Sequence, residues 1–233
     1  MATSAAQVDR SVALMDAKRA VVLQALGIER FVSRTRPVVA TPVLLVNAME
    51  RPALVDAIRH CQQCALASHR TQAVVGSGAL TAAWFIVAEA PDREDDQSGD
   101  VLTGRAGALL TSMLRALGLT REQVFISTAV KCVPTAGVAR VAELAACSSY
   151  LHRQIVLQQP TVVLCLGERV AQSVLGAASE LAALRGQVHA LSFSRASVVV
   201  THALVDVLKQ PLHKRAVWAD LQLAADVVHG HSR

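Results

Sequence analysis

Apolar positions in this chain follow two alternating rhythms. Val8, Val12, Leu14, Met15, Val21, Val22 and Leu26 recur at mixed three- and four-residue spacing, which predicts a helix over residues 5–27, with Gly27 placed to cap it. Pro37, Pro42 and Pro52 then punctuate a linker over 38–51. Beyond it, short continuous apolar runs predict buried strands at 83–88, 123–127, 161–166 and 197–201. Helical patterns fill the gaps at 52–60, 104–117, 141–159, 167–175 and 211–228, the last with Pro211 in its first turn. Continuous apolar strands alternating with helices predict an α/β body, a four-stranded parallel sheet covered by helices on both faces in three α/β/α layers. The organisation is therefore a helical tail (1–37), a linker (38–51) and a body (52–233).

Composition narrows this picture. At 233 residues the chain accommodates one large domain plus a tail, and 52% apolar residues supply a full core. Aromatics are only 3%, so that core is built from Ala, Val and Leu. Mean hydropathy is high at +0.38, yet no stretch of about 18 residues is apolar enough to span a membrane. The first 16 residues carry Asp9, Arg10 and Asp16 and lack the apolar segment of a secretory signal. A cytoplasmic protein with reduced thiols is the expectation. A net charge of +5 is compatible with nucleic acid, but the basic residues are spread out and form no tail.

The thiols carry the sharpest chemistry. Cys61 and Cys64 form a CxxC, and Cys132 and Cys147 follow from distant segments. Thiolates gathered in this way hold a soft metal centre, either an iron–sulfur cluster or zinc. Cys165 lies inside an apolar strand and reads as core. In a parallel sheet, ligands bind beyond the carboxyl ends of the strands. Those ends carry Glu89-Ala90-Pro91-Asp92, Thr128, Gly167-Glu168 and Thr201-His202, which form one rim.

The ordered words CxxC, EAPxxEDxxxG, GRAGxLLxxML, VKCxP, LG, LRG, TH and KRxxWxDL resemble the family 4 uracil-DNA glycosylases over about residues 55–225. The resemblance implies that fold, a [4Fe–4S] cluster on Cys61, Cys64, Cys132 and Cys147 with zinc as the lesser fit, and catalytic roles for Glu89 and His202. The base pocket departs from the family. Asp92 stands at a family glycine, Leu102 at the Phe that stacks on uracil, and Thr128 at the Asn whose amide reads the uracil edge. A flipped base must be stacked and hydrogen-bonded, so these departures imply weakened or lost catalysis.

Residues 18–37, from Lys18-Arg19-Ala20 through Leu26-Gly27-Ile28 to Arg36-Pro37, resemble the N-terminal segment of the psi subunit of bacterial DNA polymerase III. That resemblance implies an accessory subunit of the clamp loader, anchored through Leu23, Leu26, Ile28, Phe31 and Arg34. It further implies contact with the chi subunit and, through it, with single-strand-binding protein. The expectation is thus a psi-like subunit on an iron–sulfur glycosylase fold. The rival reading is an active family 4 enzyme that removes uracil from DNA.

Overall fold

Each of the four apolar runs forms a strand buried on both faces, and two short strands extend the sheet at its edges. The computed structural model describes residues 43–230, with side chains from residue 45. The expected helix at 5–27 and the anchors Leu23, Leu26, Ile28, Phe31 and Arg34 lie outside the described residues. The strands are β1 (Ser77–Gly78), β2 (Trp84–Ala88), β3 (Phe125–Thr128), β4 (Val162–Leu166), β5 (Val188–Ala190) and β6 (Ser197–Thr201). Their order is β1-β3-β2-β4-β6-β5. The central four are parallel, while β1 and β5 are antiparallel at the two edges.

The expected four-stranded parallel sheet is therefore corrected to a six-stranded mixed one. The missed strands have two and three residues, too short to show a period, and short edge strands are one way a sheet avoids pairing with another chain. At Gly78, φ is +118°, and a Cβ would stand 1.9 Å from the Val124 carbonyl oxygen, so only glycine lets β1 lie this close.

Nine α-helices occur among the described residues: α1 (Val43–Ala48), α2 (Arg51–Arg59), α3 (Arg93–Ser98), α4 (Arg105–Ala116), α5 (Val141–Gln158), α6 (Glu168–Leu175), α7 (Leu181–Leu184), α8 (Leu204–Lys209) and α9 (His213–His229). Within the expected linker, α1 packs on α5. Val46 is buried there, and the Met49 carbonyl accepts a hydrogen bond from Arg153 Nε at 2.7 Å.

Strand alternation sorts the core into two layers. Phe85, Val87, Val163, Cys165, Val198 and Val200 face Ile58 of α2, Tyr150 and Ile155 of α5 and Val170 of α6. Trp84, Ile86, Ile126, Leu164 and Val199 face Leu110 and Leu114 of α4, Val207 of α8 and Leu221 of α9. Each fully buried side chain of this size contributes roughly 1.5–3 kcal/mol. The three-layer α/β/α class follows from this double burial. None of the described helices is long and apolar enough to cross a membrane.

Candidate functional site

Register brings the strand ends together. Ala88 pairs with Thr128, and Leu166 pairs with Thr201. The chain leaves β2 to build β3 on one side, then crosses to build β4 on the other. The crevice between β2 and β4 is thus a topological switch point, where parallel sheets bind ligands. A cavity of about 760 Å³ opens there. Its lining includes Ala88, Glu89, Ala90 and Pro91 after β2, Leu166 at the end of β4, and Ala203, Leu204 and Val205 after β6. Asp92 and Leu102 line it from one side, and Val133, Pro134, Gly137 and Val138 from another.

Glu89 is held at the cavity edge. Its Oε1 accepts a hydrogen bond from the Ala139 N–H at 2.9 Å and lies 3.4 Å from Arg169 Nη1. Arg169 Nη2 also donates to the Ala139 carbonyl. Both protein partners of Glu89 fall on Oε1, which leaves Oε2 for a ligand or water. One carboxylate oxygen is fixed and the other available, an arrangement that can orient a nucleophile.

Asp92 caps α3. Its Oδ1 accepts from the Asp95 N–H at 2.9 Å, and Asp95 answers by accepting from the Asp92 N–H. The fully buried Asp95 carboxylate also accepts from the backbone N–H groups of Leu102 (3.0 Å) and Thr103 (2.7 Å) and from Thr103 Oγ1 (2.7 Å). These bonds hold Leu102 at φ +53°, a left-handed conformation rare outside glycine, and Leu102 presents an apolar wall to the cavity. Thr128 is completely buried and does not line it. Its Oγ1 has no hydrogen-bond partner, while its carbonyl accepts from Lys131 Nζ at 2.6 Å.

His202 follows β6 directly and precedes the cavity-lining Ala203. Its ring stacks on His213, with centroids 4.1 Å apart. Burial pushes its pKa down, helped by the nearby Arg185 and His213, so at neutral pH the ring is uncharged. Behind it, the buried Asp220 accepts from Thr201 Oγ1 at 2.7 Å and from Arg185 Nε at 2.8 Å, which ties the end of β6 to α9.

Cys61, Cys64, Cys132 and Cys147 line a second cavity, walled by Ile58, Ala67, Ala146 and Tyr150. Segments far apart in sequence meet here: the exit of α2, the exit of β3 and the middle of α5. Arg70 donates to Cys132 Sγ at 2.9 Å, and Lys131 is buried beside the thiols. Burial raises Cys64 and Cys132 and pushes Cys147 up to about 12. The donor set is all sulfur, with no carboxylate lining the cavity, and two cations stand near to offset thiolate charge. It fits a soft, thiolate-held group. Among the described residues, no three Cys, His, Asp or Glu side chains converge to hold a single metal ion. Cys165 lies in β4, away from this cavity.

Sequence reasoning missed Asp95, Arg169, Arg185 and Asp220. Asp95 sits in Arg93-Glu94-Asp95-Asp96, a run that reads as a solvated helix start, and Arg169 stands two residues past Gly167 in an ordinary helix opening. The word EAPxxEDxxxG contains Asp95, LRG contains Arg185 and KRxxWxDL contains Asp220, whereas no word of the sequence singled out Arg169.

A family model described as the Uracil DNA glycosylase superfamily matches residues 75–222. The chain is 38% identical over 122 residues to the type-4 uracil-DNA glycosylase of Archaeoglobus fulgidus, covering 52% of this chain and 61% of that one. It is 40% identical over 113 residues to the type-4 enzyme of Thermotoga maritima, covering 48% and 59%. To the type-4 enzyme of Pyrobaculum aerophilum it is 30% identical over 182 residues, covering 75% and 93%. The chain thus spans about 60% of the length of the first two relatives and nearly all of the third. These matches correct the expectation of a psi-like clamp-loader subunit that has lost catalysis. The body's similarity is to proteins named as glycosylases, and the segment at 18–37 that suggested psi lies outside the matched residues 75–222.

Proposed function

Because the chain belongs to the uracil DNA glycosylase superfamily, we propose that it removes uracil from DNA by hydrolysing the N-glycosidic bond. The observation that carries this reading is the cavity at the sheet's switch point, with Glu89 Oε1 anchored and Oε2 available. Enzymes that act on a base inside DNA extrude it into such a pocket. The flipped uracil lies against Leu102. Glu89 Oε2 accepts a hydrogen bond from the water that attacks the sugar carbon. The carbon–nitrogen bond breaks with its electron pair going to the uracil nitrogen, and the water's proton passes through Glu89 to solvent. His202, uncharged at neutral pH, adds a neutral hydrogen-bonding ring beside the loop that closes the cavity.

Cys61, Cys64, Cys132 and Cys147 hold an iron–sulfur cluster in this reading. Four thiols from distant segments line this one cavity with no carboxylate among them, a donor set that suits an iron–sulfur cluster. When bound, the cluster supplies a structural cross-link between three segments of the chain. Arg70 and Lys131 offset its charge.

The test is strand scission of uracil-containing oligonucleotides, single- and double-stranded, after alkali treatment. Scission is expected with the wild-type protein and a fall of at least about a hundredfold with Glu89→Gln, in line with the loss of a positioned catalytic group. Uracil DNA left intact by metal-loaded protein overturns the reading.

A further inference from the structure

Segment 133–139 forms one wall of the cavity, and the means of holding it there is not obvious from its own residues. Thr135 to Val138 are exposed, and the segment's internal bonding includes a tight turn in which the Gly137 N–H donates to the Pro134 carbonyl at 3.1 Å. Val138 is 52% exposed and lines the cavity, so an apolar side chain stands at the mouth on a loop in which Pro134 alone is buried between Cys132 and Ala139. One end of the segment follows the buried Cys132, whose Sγ accepts from Arg70. At the other end Ala139 is fully buried, and both of its peptide groups are gripped by side chains from elsewhere. Its N–H donates to Glu89 Oε1, its carbonyl accepts from Arg169 Nη2, and Arg169 Nη1 faces the same Glu89 oxygen. Carboxylate, guanidinium and one residue's backbone close into a ring. The next residue is pinned separately, through the Arg140 N–H on Glu143 Oε2 at 2.8 Å, so the start of α5 does not depend on this ring.

We propose that Arg169 is a positioning residue of the uracil site, which with Glu89 latches segment 133–139 in place as a cavity wall. The proposal rests on the reading of the cavity given above. Arg169 is not among the residues that line the cavity. It supplies the only cation paired with Glu89 among the described residues, and one of its two nitrogens holds the wall while the other holds the carboxylate. A planar fork does both at once, and a lysine ammonium on a flexible stem does one or the other. Losing Arg169 frees the wall, which weakens binding, and frees the direction of Glu89, which slows the chemical step.

Arg169→Met and Arg169→Lys are compared with the wild-type protein by amide hydrogen–deuterium exchange and by uracil excision kinetics. In Arg169→Met, exchange across 133–139 is expected to rise at least about tenfold while peptides from β2 and β4 keep their protection, as for a local opening. Excision is expected to show KM raised and kcat lowered together, with Arg169→Lys recovering part of each. Unchanged protection of 133–139 in Arg169→Met overturns the latch. If the wild-type protein excises no uracil, the functional reading fails and the exchange experiment alone decides the latch. If Arg169→Met loses protection in the strands as well, Arg169→Gln is read in its place. Gln keeps a donor for the Ala139 carbonyl without the charge, so 133–139 is expected to stay protected there while kcat falls, and an unchanged kcat with unchanged protection overturns the proposal.

Discussion

Thr128 shows how a single residue is shaped by its surroundings. It ends β3 beside Ala88, is completely buried, and leaves its hydroxyl without a partner. An unmatched buried hydroxyl costs on the order of 1–3 kcal/mol relative to a satisfied one. Thr128→Val keeps the branched shape and removes the unmatched oxygen, so it is expected to stabilise the fold by about 1 kcal/mol, read as a higher midpoint in urea unfolding. A lower midpoint shows that the hydroxyl is satisfied in solution. Position 128 was legible in the sequence because it closes an apolar run. Its failure to reach the cavity was not, because that depends on how far a short side chain projects from a sheet edge. Arg169 was illegible for a different reason: its partners, Glu89 and Ala139, are 80 and 30 residues away in the chain, and no local pattern links them.

Among the elements, the turn between α3 and α4 is the most tightly specified. Asp95 grips the backbone of Leu102 and Thr103 from one side. Arg121 grips it from the other, donating to the Val101 carbonyl at 2.6 Å and to the Leu102 carbonyl at 3.4 Å. Gly107 completes the fit, since a Cβ there would stand 1.5 Å from the Leu102 carbonyl oxygen. Left-handed leucine costs on the order of 1–2 kcal/mol, and the Asp95 bonds offset it. Asp95→Ala leaves three backbone N–H groups, those of Asp92, Leu102 and Thr103, without their acceptor and is expected to destabilise the fold by about 3 kcal/mol, since hydrogen bonds to a charged group contribute roughly 1.5–3 kcal/mol each in context. Unfolding in urea checks the stability, and a loss under about 1 kcal/mol means that water replaces the carboxylate. The long elements of the body were legible at this scale. Helices α2, α4, α5, α6 and α9 lie within one or two residues of their expected bounds. The short ones were not, because two to six residues carry less than two turns of helical period or two repeats of a strand.

At the scale of the whole molecule, the four-cysteine cavity joins the exit of α2, the exit of β3 and α5, so whatever it holds acts as a cross-link on the body. Protein purified without oxygen is expected to carry about four irons with matching sulfide, as a cubane-type cluster requires. Cys132→Ala should lose the metal and lower the thermal midpoint. Cys165→Ala should keep the iron, because that thiol lies within β4 at full burial, which holds its pKa well above the usual thiol value. Zinc without sulfide, or iron lost from Cys165→Ala, contradicts this assignment of ligands.

The sequence by itself determined the layered α/β class, the positions of the four central strands, the rim segment 89–92 and the four thiols that share a cavity. Each of these is written locally, as a hydrophobic period, a turn residue or a spacing that one stretch of chain carries whole. Only the tertiary structure decided the antiparallel edges, the switch-point cavity and the pairing of Glu89 with Arg169. It alone placed the clamp on Leu102 and kept Thr128 out of the cavity. Those features depend on which remote groups meet and at what distance, and packing sets both after the local elements have formed.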